Sequence, residues 1–208
     1  MKLLLTSSGN PIPKLLPTII DKPIEQIKIG WITTASKGVK NLSYLKRHKS
    51  KMEELGWNFE EVDIEGKTQD ELKKLLSDKD AIHVDGGNTF YLLKAVRKTG
   101  FDKIIKELID KGVIYIGSSA GSYIMCPTIE MSTWKTDTKP RYGLKDLTGL
   151  NYVSFLLSAH YDPRNNEILK SAISNTKYPV RILTDEQAIL VQNGKVELVG
   201  EGEEIKLN

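Results

Sequence analysis

The chain has 208 residues, 39% hydrophobic and 27% charged, with a net charge of +3 from 30 basic and 27 acidic side chains. This composition weighs against a disordered or fibrous chain, and it shows no clustered basic excess of the kind that nucleic-acid and membrane-surface binders carry. The single cysteine, Cys126, rules out an intrachain disulfide or an all-cysteine metal cluster. The length suits one domain over residues 1–208. The opening M-K-L-L-L-T-S-S-G-N is too short for the apolar core of a signal peptide, and no apolar run approaches the ~20 residues that span a bilayer. A cytoplasmic protein without nucleic-acid or membrane partners is expected, as monomer or homodimer.

Residues 3–5 are a short apolar strand running into Thr6-Ser7-Ser8-Gly9, and Pro11, Pro13 and Pro17 punctuate the connection that follows. A second strand is expected over 27–33, a helix over 42–55 ending at Gly56, a strand over 57–64 and a short helix over 69–76. The apolar run 81–84 breaks at Asp85-Gly86-Gly87-Asn88. Two helices over 89–98 and 101–111 are divided by Gly100. The run V-I-Y-I at 113–116 then leads into Gly117. Strands that alternate with helices and are apolar on both faces imply a parallel sheet covered on both sides, an α/β three-layer sandwich. The second half is less regular: an apolar run over 152–157, a polar stretch over 133–141 that reads as a loop, a helix over 167–173, and strands over 180–183, 188–191 and 196–199. The last two flank Gln192-Asn193-Gly194, a strong hairpin signal. In such sheets ligands bind beyond the carboxyl ends of the strands, so the turns 6–10, 34–37, 85–89 and 117–121 are where a site should lie.

One of these turns carries chemistry. Gly117-Ser118-Ser119-Ala120-Gly121 matches G-x-S-x-G, a pattern that chance alone would supply in roughly one chain in fifteen of this length. Its setting, between an apolar strand and a helix-compatible S-Y-I-M-C, is the one in which a serine nucleophile is held on a sharp turn. The plainer reading is a Gly/Ser turn of the sort that binds phosphate. Cys126, about two helical turns further on, reads as a buried structural thiol. A serine needs a base, and the chain has three histidines. His48, in R-H-K-S-K, reads as a solvated helix-face residue, and His83, inside A-I-H-V, as a satisfied core histidine. His160 opens the polar turn Tyr161-Asp162-Pro163-Arg164 and is the base candidate by elimination, with His83 second. The acid that orients it could be Asp137 or Asp146 upstream, or Asp185 or Glu186 downstream, because geometry and not chain order defines a triad. The Ala120 N–H and the glycines of 85–88 could supply an oxyanion hole, while Asn88 could equally be the N-cap of the helix beginning at Thr89. Three scattered histidines and one cysteine imply no metal, and no cofactor is expected.

Taken in order, L-L-L-T-S-S at the start, D-G-G-N-T-F-Y-L-L at 85–93, Y-I-G-S-S-A-G at 115–121, C-P-T-I at 126–129, S-A-H-Y at 158–161 and T-D-E-Q-A-I at 184–189 resemble the peptidase E and cyanophycinase family of serine hydrolases over nearly the whole chain. The resemblance implies a class I glutamine amidotransferase-like, flavodoxin-like parallel sandwich ending in a β-hairpin. It implies Ser119 as nucleophile, His160 as general base, Gly87 and Ala120 as oxyanion amides, and Asp185 or Glu186 as the orienting acid. It also implies a small peptide substrate, such as a dipeptide with N-terminal Asp, with Asn88, Thr89 and Arg164 gripping its polar ends. Two positions depart from the family pattern. Trp134 stands where peptidase E has an aspartate after the nucleophile, with Asp137 the nearest acid, and the loop after the histidine is shorter. Other readings on the same scaffold are a non-catalytic small-molecule binding or regulatory protein, and an amidase or esterase.

Overall fold

Short apolar runs alternate with amphipathic stretches through the first half of the chain, and strand alternates with helix accordingly. The computed structural model describes residues 1–135 and 141–207. The apolar runs form β1 (Lys2–Thr6), β2 (Lys28–Ile32), β3 (Asn58–Val62), β4 (Ala81–Val84) and β5 (Ile114–Ser118). The stretches between and around them form α1 (Ile12–Ile19), α2 (Ser43–Glu54), α3 (Gln69–Leu76), α4 (Thr89–Thr99) and α5 (Phe101–Asp110), and α6 (Ala120–Tyr123) follows β5 directly. The second half supplies β6 (Leu156–Ser158), α7 (Asn166–Asn175), β7 (Val180–Ile182), β8 (Gln187–Gln192) and β9 (Lys195–Gly200).

Seven strands make one sheet in the order β3-β2-β4-β5-β1-β8-β9. The first five pair in parallel, and β8 and β9 continue the sheet antiparallel beyond β1. The parallel α/β sandwich expected from the sequence is therefore present, with the C-terminal hairpin as an antiparallel extension. Asn193 and Gly194, at φ 53° and 77°, form its two-residue turn between Gln192 and Lys195; positive φ at both turn residues matches the right-handed twist of the strands. β6 and β7 pair separately. Side chains alternate across the sheet. Leu3 and Leu5 face a core shared with α3, α4 and α5, while Leu4 faces a second core built with Ile12, Leu16 and Met52 from α1 and α2. Among the described residues no helix is long and apolar enough to cross a membrane.

One local reading is completed and one is corrected. The proline-punctuated connection after β1 is a helix. Proline occupies its first turn, where the missing N–H is no loss, and Ile12, Leu16 and Ile19 bury one face. The element after the serine turn is short: α6 ends at Tyr123, so Cys126 lies beyond it rather than inside a helix. Cys126 is nonetheless buried, as expected, and burial pushes its thiol up to about 12.

Candidate active site

β4, β5 and β1 are adjacent and parallel, so their carboxyl ends deliver residues 85–88, 119 and 6–10 to one edge of the sheet. At the end of β5 the chain reverses into α6 through Ser119, which is held at φ 47° and ψ −102°. This is a disfavoured conformation for a residue with a side chain, costing on the order of 1–3 kcal/mol, and it persists only where the surroundings enforce it. Here the Ser119 N–H donates to the Thr6 carbonyl at 3.0 Å, and the Ser119 carbonyl accepts from Tyr123 N–H at 2.9 Å. The turn also closes on itself and on β4. A Cβ at Gly117 would lie 2.7 Å from the Gly121 carbonyl carbon, and one at Gly121 would lie 2.0 Å from the Val84 carbonyl oxygen. The spacing G-x-S-x-G is thus a packing requirement of this turn.

The Ser119 Oγ lies 3.0 Å from His160 Nε2, and His160 Nδ1 lies 2.6 Å from Asp185 Oδ1. His160 follows β6 at φ 54°. Its N–H donates to Ser7 Oγ at 2.7 Å, and the Ser7 hydroxyl donates to Asp185 Oδ1 at 2.8 Å. The wholly buried Ser7 therefore ties the imidazole segment to the carboxylate. The hydrogen bond from His160 is the main reason the Asp185 carboxyl stays below its ordinary range, outweighing the opposing effect of burial. Of the two acids left open by the sequence, Asp185 faces His160, whereas Glu186 turns away and accepts from Asn10 Nδ2 at 2.7 Å. Asp146 is bound to Thr148 and Arg97, and Asp137 lies outside the described residues.

Gly87, Asn88, Ser119, His160 and Asp185 line a cleft of about 560 Å³. Gly87 sits at φ 141°, and a Cβ there would fall 2.4 Å from the Ala35 carbonyl oxygen, so only glycine fits. Among the described residues, neither the Gly87 nor the Ala120 N–H donates to a backbone carbonyl. Asn88 is also the N-cap foreseen, accepting from Tyr91 N–H at 3.0 Å. Thr89 is buried at the start of α4 and does not line the cleft. Arg164 does not reach the cleft either. It is bound to Asp162 two residues away, with its side chain 89% exposed. The short turn after His160 lets the guanidinium fold back onto its own loop.

His48 departs furthest from its sequence reading. It is not solvated: its side chain is 16% exposed and Nδ1 lies 2.9 Å from Oδ2 of Asp85, a carboxylate with no exposed surface. The basic run around it hid this, because the partner comes from the end of β4 and the ring lies where a Cβ on Gly9 would be. His83 is the satisfied core histidine expected, with Nε2 3.0 Å from Ser118 Oγ, and burial lowers it to about 4. Sequence reasoning missed Ser7, Tyr44 and Asp85. The polar T-S-S at the end of an apolar strand was the available signal for the first. Among the described residues no group of three or more His, Cys, Asp or Glu side chains is placed to hold a metal ion.

Residues 3–199 match peptidase family S51. An uncharacterized peptidase of Listeria monocytogenes is 36% identical over 160 residues, covering 77% of this chain and 78% of that one. Peptidase E of Shewanella denitrificans is 26% identical over 194 residues, covering 88% and 79%. A crystal structure of a candidate peptidase E protein from Listeria monocytogenes EGD-e superposes with a TM-score of 0.85 at 31% identity, covering 97% of this chain and 98% of that one. A peptidase from an acI-B1 actinobacterium, at 16% identity and a TM-score of 0.71, shares the fold. With nearly its whole length matched, and a serine, a histidine and a carboxylate converging at one sheet edge, the chain belongs to peptidase family S51.

Proposed function

We propose that the chain is a serine-type peptidase that hydrolyses small peptides, dipeptides among them, through an acyl-enzyme on Ser119. The observation that carries the reading is the 3.0 Å separation of Ser119 Oγ and His160 Nε2, with Asp185 on the far side of the ring. Asp185 accepts from Nδ1 and so keeps Nε2 free to take the serine proton. As Oγ attacks the scissile carbonyl, that proton passes to Nε2, and the Gly87 and Ala120 N–H groups stabilise the oxyanion. Collapse breaks the C–N bond, and Nε2 returns the proton to the leaving amine. A water molecule then gives a proton to Nε2 and attacks the acyl-serine; as the C–O bond to Ser119 breaks, Nε2 returns that proton to Oγ, and a carboxylic acid is released.

Lys40 and Arg47 line the same cleft, and among the described residues neither has an acidic partner. Arg47 donates to Ser43 Oγ at 3.3 Å. Two cations of this kind support a substrate that carries a carboxylate, either a free C-terminus or an acidic side chain, in a role that Arg164 does not fill here.

A fluorophosphonate probe should label the protein, and Ser119→Ala should remove the label. Labelling that persists in the variant, or none in the folded wild type, overturns the mechanism. Cleavage of a dipeptide set spanning Asp-X, Glu-X and neutral X-X then reads the specificity.

A further inference from the structure

We propose that Tyr44 and His48, one turn apart on α2, are positioning residues that set the direction of the Gly87 N–H. Tyr44 acts by holding the Gly86 carbonyl, and His48 by holding the Asp85 carboxylate to which the loop is tied. The inference rests on the reading of Gly87 as an oxyanion donor.

Two consecutive glycines give a loop no side chains with which to hold itself, and glycine is the residue most free to rotate. The orientation of an amide at such a place must be imposed from outside. A peptide unit is planar and trans, so the Gly86 C=O and the Gly87 N–H point in opposite directions, and fixing one fixes the other. The Tyr44 hydroxyl donates to the Gly86 carbonyl at 3.0 Å. The Gly86 N–H donates to Asp85 Oδ1 at 2.7 Å. Both polar atoms of Gly86 are therefore committed, whereas among the described residues the Gly87 N–H donates to no backbone carbonyl.

The second anchor is itself anchored. Asp85 accepts from Trp31 Nε1 at 3.0 Å and from His48 Nδ1 at 2.9 Å. Burial works to raise its pKa, but the His48 hydrogen bond, followed by the neighbouring His83 and His48 imidazoles and then the Gly86 amide, outweighs this, so it remains an ionised acceptor. Burial, with the Asp85 charge, pushes the Tyr44 phenol up to about 12, so it remains a donor. The Tyr44 and His48 rings meet edge to face with centroids 5.9 Å apart, so the two holds come from one rigid helical turn. Downstream, the Asn88 N–H donates to the Ala35 carbonyl at 2.9 Å and closes the loop from its other end.

The test uses the full chain, a dipeptide that the wild type cleaves, and the backbone amide spectrum. Tyr44→Phe keeps the ring and removes only the donor. It should lower kcat about tenfold to a hundredfold, less than the ~10²–10³ of losing an oxyanion donor outright, and leave KM within about twofold. The Gly87 amide resonance should move while that of Gly194, in the distant hairpin, stays in place. His48→Ala should lower kcat in the same way, and His48→Asn should regain most of it, because its side-chain amide can donate to Asp85 in place of Nδ1. Unchanged kcat and an unmoved Gly87 resonance in an otherwise active protein overturn the proposal and leave the peptidase reading standing. A raised KM at unchanged kcat also overturns it, by placing these residues in substrate binding. If the wild type neither labels nor cleaves, the peptidase reading fails, and the resonance alone decides whether Tyr44 sets the amide. If His48→Ala does not fold, Tyr44→Phe carries the decision.

Discussion

Two histidine–aspartate pairs border the cleft, made of the same groups at nearly the same separation. His160 and Asp185 are 2.6 Å apart with both side chains about half exposed, whereas His48 and Asp85 are 2.9 Å apart with side chains 16% and 0% exposed. Environment divides their roles. The exposed pair presents a ring nitrogen to a hydroxyl, the arrangement that the proposed mechanism uses. The buried carboxylate is saturated by an indole, an imidazole and an amide, and holds backbone in place. Removing the exposed pair should cost turnover with little stability, and removing the buried carboxylate should cost stability first.

The largest effect expected is on turnover. Asp185→Asn reverses the hydrogen-bonding preference at His160 Nδ1 and should lower kcat by about 10⁴, measured with the fold confirmed by circular dichroism. Its unfolding free energy in urea should change by less than about 1 kcal/mol, as for other half-exposed pairs. Asp85→Ala should do the opposite in emphasis, losing about 3–5 kcal/mol because its donors are left buried and unmatched. Equal stability losses in the two variants would break the distinction.

A third histidine sharpens the contrast. His83 is buried and lowered from 6.5 to about 4. Between those values the unfolded chain takes up a proton that the folded chain refuses, so stability is fully present above pH 6.5 and falls as pH drops toward 4, by about 3 kcal/mol. His83→Gln, which keeps a donor near Ser118, should flatten that limb of the urea midpoint against pH. The smallest effects are expected at Glu186→Gln and Arg164→Ala. Each should leave kcat/KM within about twofold on the dipeptide set, since neither side chain reaches His160 or the cleft wall.

Much of this architecture was legible in the chain because it is written in local patterns. The apolar runs at 81–84 and 113–116 gave strands, N-G gave the hairpin turn, and G-x-S-x-G between strand and helix gave the serine turn. His160 followed by elimination among the three histidines, from its place between an apolar run and a polar turn. What stayed hidden depends on which segments become neighbours. Nothing near His48 announces a carboxylate from the end of β4, and nothing near Ser7 announces that its hydroxyl would join residues 160 and 185. Asp185 and Glu186 are adjacent in the turn between β7 and β8, and only the fold decides which of the two side chains faces His160. Arg164, for which the resemblance implied a hold on the substrate, is instead paired with the chain's own Asp162, and only the turn geometry decides that pairing.

Residues 6–10 contact residues far along the sequence: Thr6 meets Ser119, Ser7 meets His160 and Asp185, and Asn10 meets Glu186. Its parent strand, β1, lies between β5 and β8. During synthesis on the ribosome, residues 6–10 must therefore wait for residues 185–186, far later in the chain, before they can be enclosed. A nascent chain stalled before residue 185 would carry a serine and an imidazole with no carboxylate to complete them. The Ser119–His160–Asp185 arrangement should accordingly form all at once, when residue 185 and the strand that follows it have emerged, rather than growing with chain length.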